Sequence, residues 1–270
     1  MSRLSSTFER LRQERRAGLI TYVTAGDPDL ARSADILRAL DEAGADVLEV
    51  GVPFSDPVAD GPVIQRAAER ALAAGGSLGA TLDLVSGVRR EVRAPIVLFT
   101  YVNPVLRLGV TRFAERAAAA GADAVLVLDL PLEEAEEFRL VLARESLDLI
   151  FLVSPTTSAA RLLMASRLGS GFLYAISRLG VTGARESLPA GAEQLVARIR
   201  ACSALPVALG FGIARPEHVR QAGEWADAAV VGSGLVSVIA AAGSAPDIGE
   251  RAAEYVRWLR QGATAPGMTA

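Results

Sequence analysis

The chain has 270 residues, 51% of them hydrophobic and 22% charged, and 28 basic against 31 acidic side chains leave a net charge of −3. That balance argues against a nucleic-acid groove or an anionic membrane surface as the partner. The sequence contains no lysine, so an imine-forming aldolase or a pyridoxal-phosphate enzyme has no amine nucleophile within this chain. One cysteine, Cys202, excludes an internal disulfide, and with a single histidine, His218, it offers neither a zinc site nor a His-assisted nucleophile.

Residues 1–16 form a charged amphipathic segment without the apolar core of a signal peptide, and predict an N-terminal helix. No stretch approaches the ~20 apolar residues of a membrane span, so a cytoplasmic protein is expected. Short, nearly continuous apolar runs then recur at residues 19–24, 47–51, 96–101, 124–128, 149–153, 172–176, 207–209 and 228–231. Such runs suit strands buried on both faces of a parallel sheet. Helical patterns separate them. An internal echo marks the joints: Ala43-Gly44-Ala45-Asp46, Ala120-Gly121-Ala122-Asp123 and, more loosely, Ala222-Gly223 with Ala226-Asp227. Each closes an alanine-rich helix at glycine and opens a strand, which is a repeating βα unit. The long interval 51–95 holds a loop and helical material but no strand, and reads as an elaborated second βα connection.

Cys202 falls at a helix end before Pro206 and reads as a small packing residue. His218, after Pro216 and Glu217, reads as part of a surface helix. No linker divides the chain, and eight units in about 250 residues favour a closed barrel over an open sheet. The expected fold is therefore α/β: a single (βα)8 TIM-barrel domain over residues 1–270, with an extra N-terminal helix and a flexible tail from about residue 262.

Function in such barrels sits at the C-terminal strand ends and the loops that follow. Glu49 lies inside the second apolar run, where an unpaired carboxylate is costly to bury. Alternation places it with Val47 on the face opposite Leu48 and Val50, toward the barrel mouth. A buried ion pair with an arginine is the competing explanation. A proline-stiffened loop, residues 51–62, follows with Asp56, Pro57 and Asp60. Asp60, before Gly61-Pro62, reads either as the cap of the next helix or as the second member of an acid–base pair with Glu49. Gly210-Phe211-Gly212 after the seventh strand and Gly232-Ser233-Gly234 after the eighth suggest phosphate binding by backbone N–H groups, with Thr182-Gly183 adding a hydroxyl or an amide. Either Gly-x-Gly alone is equally a tight turn. The glycine-rich segment 177–185 reads as a lid. Tyr22, Tyr101 and Tyr174 near strand ends, with Phe211, suggest a flat apolar substrate portion beside the phosphate.

The run from Glu49 through Val52-Pro53-Phe54-Ser55-Asp56-Pro57 to Asp60-Gly61-Pro62 resembles the signature of the tryptophan synthase alpha chain family. The resemblance extends in order through Tyr22-Val23-Thr24-Ala25-Gly26-Asp27-Pro28, Tyr101-Val102-Asn103-Pro104, Asp129-Leu130-Pro131, Ser177-Arg178, Gly180-Val181-Thr182-Gly183-Ala184 and Gly210-Phe211-Gly212. It implies a lyase that cleaves indole-3-glycerol phosphate to indole and glyceraldehyde 3-phosphate. It implies Glu49 and Asp60 as the catalytic pair, Gly183, Gly212, Gly232 and Ser233 as phosphate contacts, and Tyr22 and Tyr174 in the indole pocket with Tyr101 as neighbour. It also implies a beta-chain partner in an alpha2beta2 assembly, approached by Asp56 and Pro57. No cofactor is expected in this chain, pyridoxal phosphate belonging to the partner. Two positions depart from the family pattern: Leu179, where a small hydroxyl residue is usual in the lid, and Gly234, where alanine is common. The rival expectations are a free-standing lyase, a barrel acting on another phosphorylated substrate, and a module that mainly activates the beta chain.

Overall fold

A computed structural model describes residues 2–176, 191–210 and 212–263. Eight parallel strands close into a barrel in sequence order: β1 (Gly18–Thr24), β2 (Val47–Gly51), β3 (Ile96–Thr100), β4 (Ala124–Val127), β5 (Asp148–Val153), β6 (Leu173–Ile176), β7 (Val207–Gly210) and β8 (Ala228–Val231). The eight apolar runs of the sequence are these strands, to within a residue at each end. The described helices are α1 (Arg3–Gln13), α2 (Leu30–Glu42), α3 (Pro62–Ala73), α4 (Leu78–Val88), α5 (Val102–Leu108), α6 (Val110–Ala120), α7 (Ala135–Arg144), α8 (Ala159–Leu168), α9 (Gly191–Arg200), α10 (Pro216–Trp225), α11 (Ser233–Ala242) and α12 (Ile248–Arg260). The long second connection holds α3 and α4, as its pattern suggested. The third is also split, because Gly109 at φ +88° breaks the helical run between α5 and α6. No single described helix is long and apolar enough to cross a membrane.

Strand side chains divide by parity. Leu48 and Val50 of β2 join the outer core between sheet and helices. Val47 faces inward with Ile20, Val97, Ala124, Ile150, Phe172, Ala208 and Ala228. Leu4, Phe8 and Leu11 of α1 belong to this inner cluster, and Phe8 meets Phe172 with ring centroids 5.6 Å apart. The N-terminal helix therefore plugs the barrel floor with its apolar stripe, as its amphipathic spacing requires.

The echoed aspartates have a shared task on that floor. Each precedes a strand and accepts the N–H of the first or second residue of the strand before it: Asp46 from Leu19 at 3.0 Å, Asp123 from Ile96 at 2.8 Å and Asp227 from Val207 at 2.8 Å. Arginines complete the pairing. Arg16 binds Asp46 through both terminal nitrogens at 2.8 and 2.7 Å, Arg3 and Arg89 reach Asp123, and Arg200 reaches Asp227. Burial opposes the charge on Asp46, yet the hydrogen bonds and charge of Arg16 hold its carboxyl below the ordinary range.

One expectation changes. His218 is not on an exposed face: Pro216, His218, Val219 and Ala222 form the buried stripe of α10, and the imidazole is 2% exposed. Spacing of i, i+1 and i+4 turns the residue inward, which its charged neighbours concealed. Gly262 and Ala263, placed in the expected tail, form a packed turn after α12, with Ala263 buried. Residues 264–270 lie outside the described residues. Cys202 lies just beyond α9, half-buried against the outer core.

Candidate active site

The C-terminal ends of the strands surround a cavity of 540 Å³. Its wall is formed by the top inward residues of the barrel, the start of α3, and the loops after β7 and β8. Glu49, Asp60, Tyr22, Tyr174, Gly212, Gly232 and Ser233 all line it, joined by Phe99, Leu128, Leu152, Ile176 and Val230. The last five complete the inward parity set, and their signal in the sequence was the same alternation that placed Glu49.

Glu49 is fully buried, and neither carboxylate oxygen has a hydrogen-bond partner among the described residues. The arginine ion pair that would have made it structural is not formed there. Its neighbours across the sheet are Tyr22 and Val97, aligned with it in register. Burial alone pushes the Glu49 carboxyl up to about 8, because an ion without partners in an apolar wall is poorly solvated. At neutral pH the group is mostly protonated.

Asp60 is in a different situation. The cap of α3 is Gly61 and not Asp60, with Pro62 in the first turn and no side-chain cap bond. The capping explanation therefore fails for a geometric reason. Instead the Tyr101 hydroxyl donates to Asp60 Oδ2 at 3.0 Å, and the Ala59 N–H donates to the Tyr101 oxygen at 3.1 Å. Tyr101 does not line the cavity but steers the acid that does. Phe54 lies against the Tyr101 ring at a centroid distance of 5.1 Å, and Gln65 Nε2 donates to the Asp60 carbonyl at 2.9 Å. Burial pushes Asp60 up to about 6, the Tyr101 hydrogen bond working in the opposite direction. At pH 7 this carboxyl is mostly ionised while Glu49 is not. Two acids pushed to different values on one cavity are suited to opposite ends of a proton transfer.

Two strand-end glycines make room for the aromatic walls. A Cβ at Gly51 would stand 2.2 Å from the Tyr22 hydroxyl oxygen, and one at Gly210 would stand 2.6 Å from the Tyr174 ring. Gly210 thus seats a tyrosine, leaving Gly212 as the cavity-facing glycine of its Gly-x-Gly. Tyr22 also meets Phe99 edge-on at 5.3 Å. These aromatics form an apolar wall beside the acids.

The wall beside Tyr22 at the end of β8 is polar in its backbone. Helix α11 starts at Gly232 without a side-chain cap, and Gly232, Ser233 and Gly234 face the cavity. The first N–H groups of a helix lack intrahelical acceptors and carry the positive end of its dipole, so this surface is suited to an anion. No arginine lines the cavity among the described residues. Thr182, Gly183 and Phe211, and the lid segment with Leu179, lie outside the described residues. Asp56 and Pro57 stand on the outer rim of the β2 loop, away from the cavity, beside Val58, which is 86% exposed.

The model of the tryptophan synthase alpha chain family matches residues 8–263. Curated alpha chains from Methylococcus capsulatus and Geobacter sulfurreducens are 52% and 47% identical; the alignments cover 92% and 97% of this chain and 93% and 98% of those relatives. Among solved structures, a tryptophan synthase alpha chain from Legionella pneumophila superposes with a TM-score of 0.90 at 36% identity over the full length of both chains. A Mycobacterium tuberculosis tryptophan synthase structure gives 0.88 at 38% identity, covering 97% of this chain and 98% of that one.

Proposed function

Because the chain belongs to the tryptophan synthase alpha chain family, whose members cleave indole-3-glycerol phosphate, we propose that Glu49 and Asp60 carry out that cleavage here. Breaking the carbon–carbon bond in a retro-aldol sense needs an acceptor for the electron pair. With no lysine to form an imine, the substrate's own ring takes that role. Glu49, protonated at neutral pH, donates its proton to C3 of the indole, and the ring becomes an iminium. The ionised Asp60 accepts the ring N–H and stabilises the positive charge that develops there. Glu49, now a carboxylate, removes the proton of the side-chain hydroxyl as the bond to C3 breaks. The electron pair returns to the ring, indole regains aromaticity, the aldehyde of glyceraldehyde 3-phosphate forms, and Glu49 ends protonated as it began.

The observation that carries this reading is the shared cavity with differently tuned acids, about 8 for Glu49 and about 6 for Asp60. The indole lies against Tyr22, Phe99 and Tyr174. The phosphate sits against the backbone of Gly212, Gly232 and Ser233, held by amides and the α11 dipole. The rim of Asp56, Pro57 and Val58, with Asp56 and Val58 exposed, is the surface offered to a beta chain in an alpha2beta2 assembly, where pyridoxal phosphate is bound by the partner and indole is consumed.

Single-turnover cleavage tests the assignment. Glu49→Gln and Asp60→Asn proteins that still bind substrate should each lose at least about a hundredfold in rate. Near-normal cleavage by the Glu49→Gln protein would sink the mechanism. Indole release measured with and without a beta chain separates the other readings. A large activation supports the partnered enzyme, robust solo turnover a free-standing lyase, and no indole in either assay a different phosphorylated substrate.

A further inference from the structure

Ala214 sits in the loop after β7, in the wall of the cavity next to Gly212 and Ile213. Outside the barrel's hydrogen-bond ladder its backbone groups need other partners, since buried polar backbone is costly when unpaired. Both are met by side chains. The Ala214 N–H donates to Nδ1 of His218 on α10 at 3.3 Å, and the Ala214 carbonyl accepts the Tyr255 hydroxyl of α12 at 3.0 Å. Neither His218 nor Tyr255 lines the cavity. Tyr255 also touches α11, because a Cβ on Gly234, in the first turn of that helix, would stand 2.5 Å from its hydroxyl oxygen. The tyrosine is itself braced by Trp258, with centroids 5.7 Å apart. The turn after α12 is pressed onto the start of α10, so closely that a Cβ at Gly262 would overlap the Pro216 carbonyl. The two helices that hold Ala214 therefore brace each other.

We infer that His218 and Tyr255 are positioning residues, a two-sided clamp on Ala214 that fixes the loop after β7 against the N-terminus of α11 for binding the substrate's phosphate. With its amide and carbonyl both engaged from outside the cavity, Ala214 is held before the ligand arrives, so binding does not bear the cost of fixing it. The inference rests on reading Gly212, Gly232 and Ser233 as the phosphate side of the cavity.

The test compares wild type with Tyr255→Phe, His218→Ala and His218→Asn, measuring inorganic phosphate affinity by calorimetry, the KM and kcat for indole-3-glycerol phosphate, and thermal melting. Loss of one neutral hydrogen bond should weaken phosphate binding and raise KM about three- to tenfold, with kcat within about twofold of wild type. The asparagine oxygen can take the place of Nδ1 as acceptor, so His218→Asn should recover most of what His218→Ala loses. Should His218→Ala fail to fold, Tyr255→Phe, which keeps the ring, carries the test alone. Folded variants with unchanged phosphate affinity and KM would overturn the clamp, as would a fall in kcat and melting temperature with phosphate affinity intact. A wild-type protein that binds no phosphate in this cavity would instead overturn the reading of the site.

Discussion

Replacing Tyr101 with phenylalanine removes the one side-chain hydrogen bond among the described residues that supports the charge on Asp60, while leaving the ring against Phe54. A hydrogen bond to a charged group contributes about 1.5–3 kcal/mol, and one pKa unit corresponds to about 1.4 kcal/mol. Asp60 is only partly buried, so water offsets part of the loss and the lower end of that range applies. Its carboxyl should then titrate near 7 rather than about 6. The sign follows from the mechanism. Asp60 must be ionised and Glu49 protonated, so kcat/KM should be bell-shaped, rising through about 6 and falling through about 8. In the Tyr101→Phe protein the acid limb moves toward the basic one. Beyond any loss common to all pH values, activity should fall roughly fivefold at pH 6 and hardly at all at pH 8, from the ionised fractions alone. Steady-state kinetics from pH 5 to 9 read this directly. An acid limb that stays in place in a variant still binding substrate would refute the claim that Tyr101 tunes Asp60.

Glu49→Gln should cost activity and gain stability. A carboxyl raised to about 8 in the fold, against about 4.3 in the unfolded chain, makes the folded state take up a proton between those values, so its contribution to stability declines as pH rises through that window. The glutamine protein, which does not titrate, should gain roughly 3 kcal/mol on wild type between pH 5 and pH 8 in urea denaturation; parallel stability profiles for the two proteins would contradict the burial argument. Gly51→Ala should displace the Tyr22 ring, lowering stability by about 1–3 kcal/mol and raising KM for the indole substrate; a variant with native melting and KM would show that the ring can move without consequence. Val58→Asp and Asp56→Ala, on the outer rim, should weaken activation by a beta chain while leaving solo kcat/KM and melting unchanged. Full activation at the same beta-chain concentration would remove that rim from the interface.

The barrel was readable because its signal is local. A strand buried on both faces needs a continuous apolar run, and helices α2 and α6 close at Gly44 and Gly121 just before the next strand, so eight units could be counted from neighbours in sequence. The inward parity of Glu49 was equally local. What escaped were contacts between distant residues. Tyr101 meets Asp60 across 41 positions, Tyr22 needs Gly51 to be a glycine, and the Ala214 carbonyl is held by Tyr255, also 41 positions away. None leaves a periodic mark. His218 did leave one, a place on the buried stripe of α10, but its charged neighbours pointed the other way. Gly210 shows the limit of motif reading in the opposite direction, since a glycine in a phosphate-like Gly-x-Gly is required by the tyrosine it faces.

Two acids, one in β2 and one just before it, show how the same chemistry is divided between the ends of the barrel. Asp46 and Glu49 are both buried carboxylic acids on one strand and the residue before it. Asp46, at the floor, has two arginines and a backbone N–H, so its charge is supported and its carboxyl titrates low. Glu49, about 10 Å further along at the usual strand rise, has no such partner among the described residues and titrates high. A paired acid resists change of protonation and contributes to holding strands together. An unpaired one is destabilising as an ion and therefore ready to exchange a proton with whatever enters the cavity. Adding an arginine partner to Glu49 would be expected to restore its charge and end its use as an acid, which is the physical reason that floor and mouth carry such different surroundings.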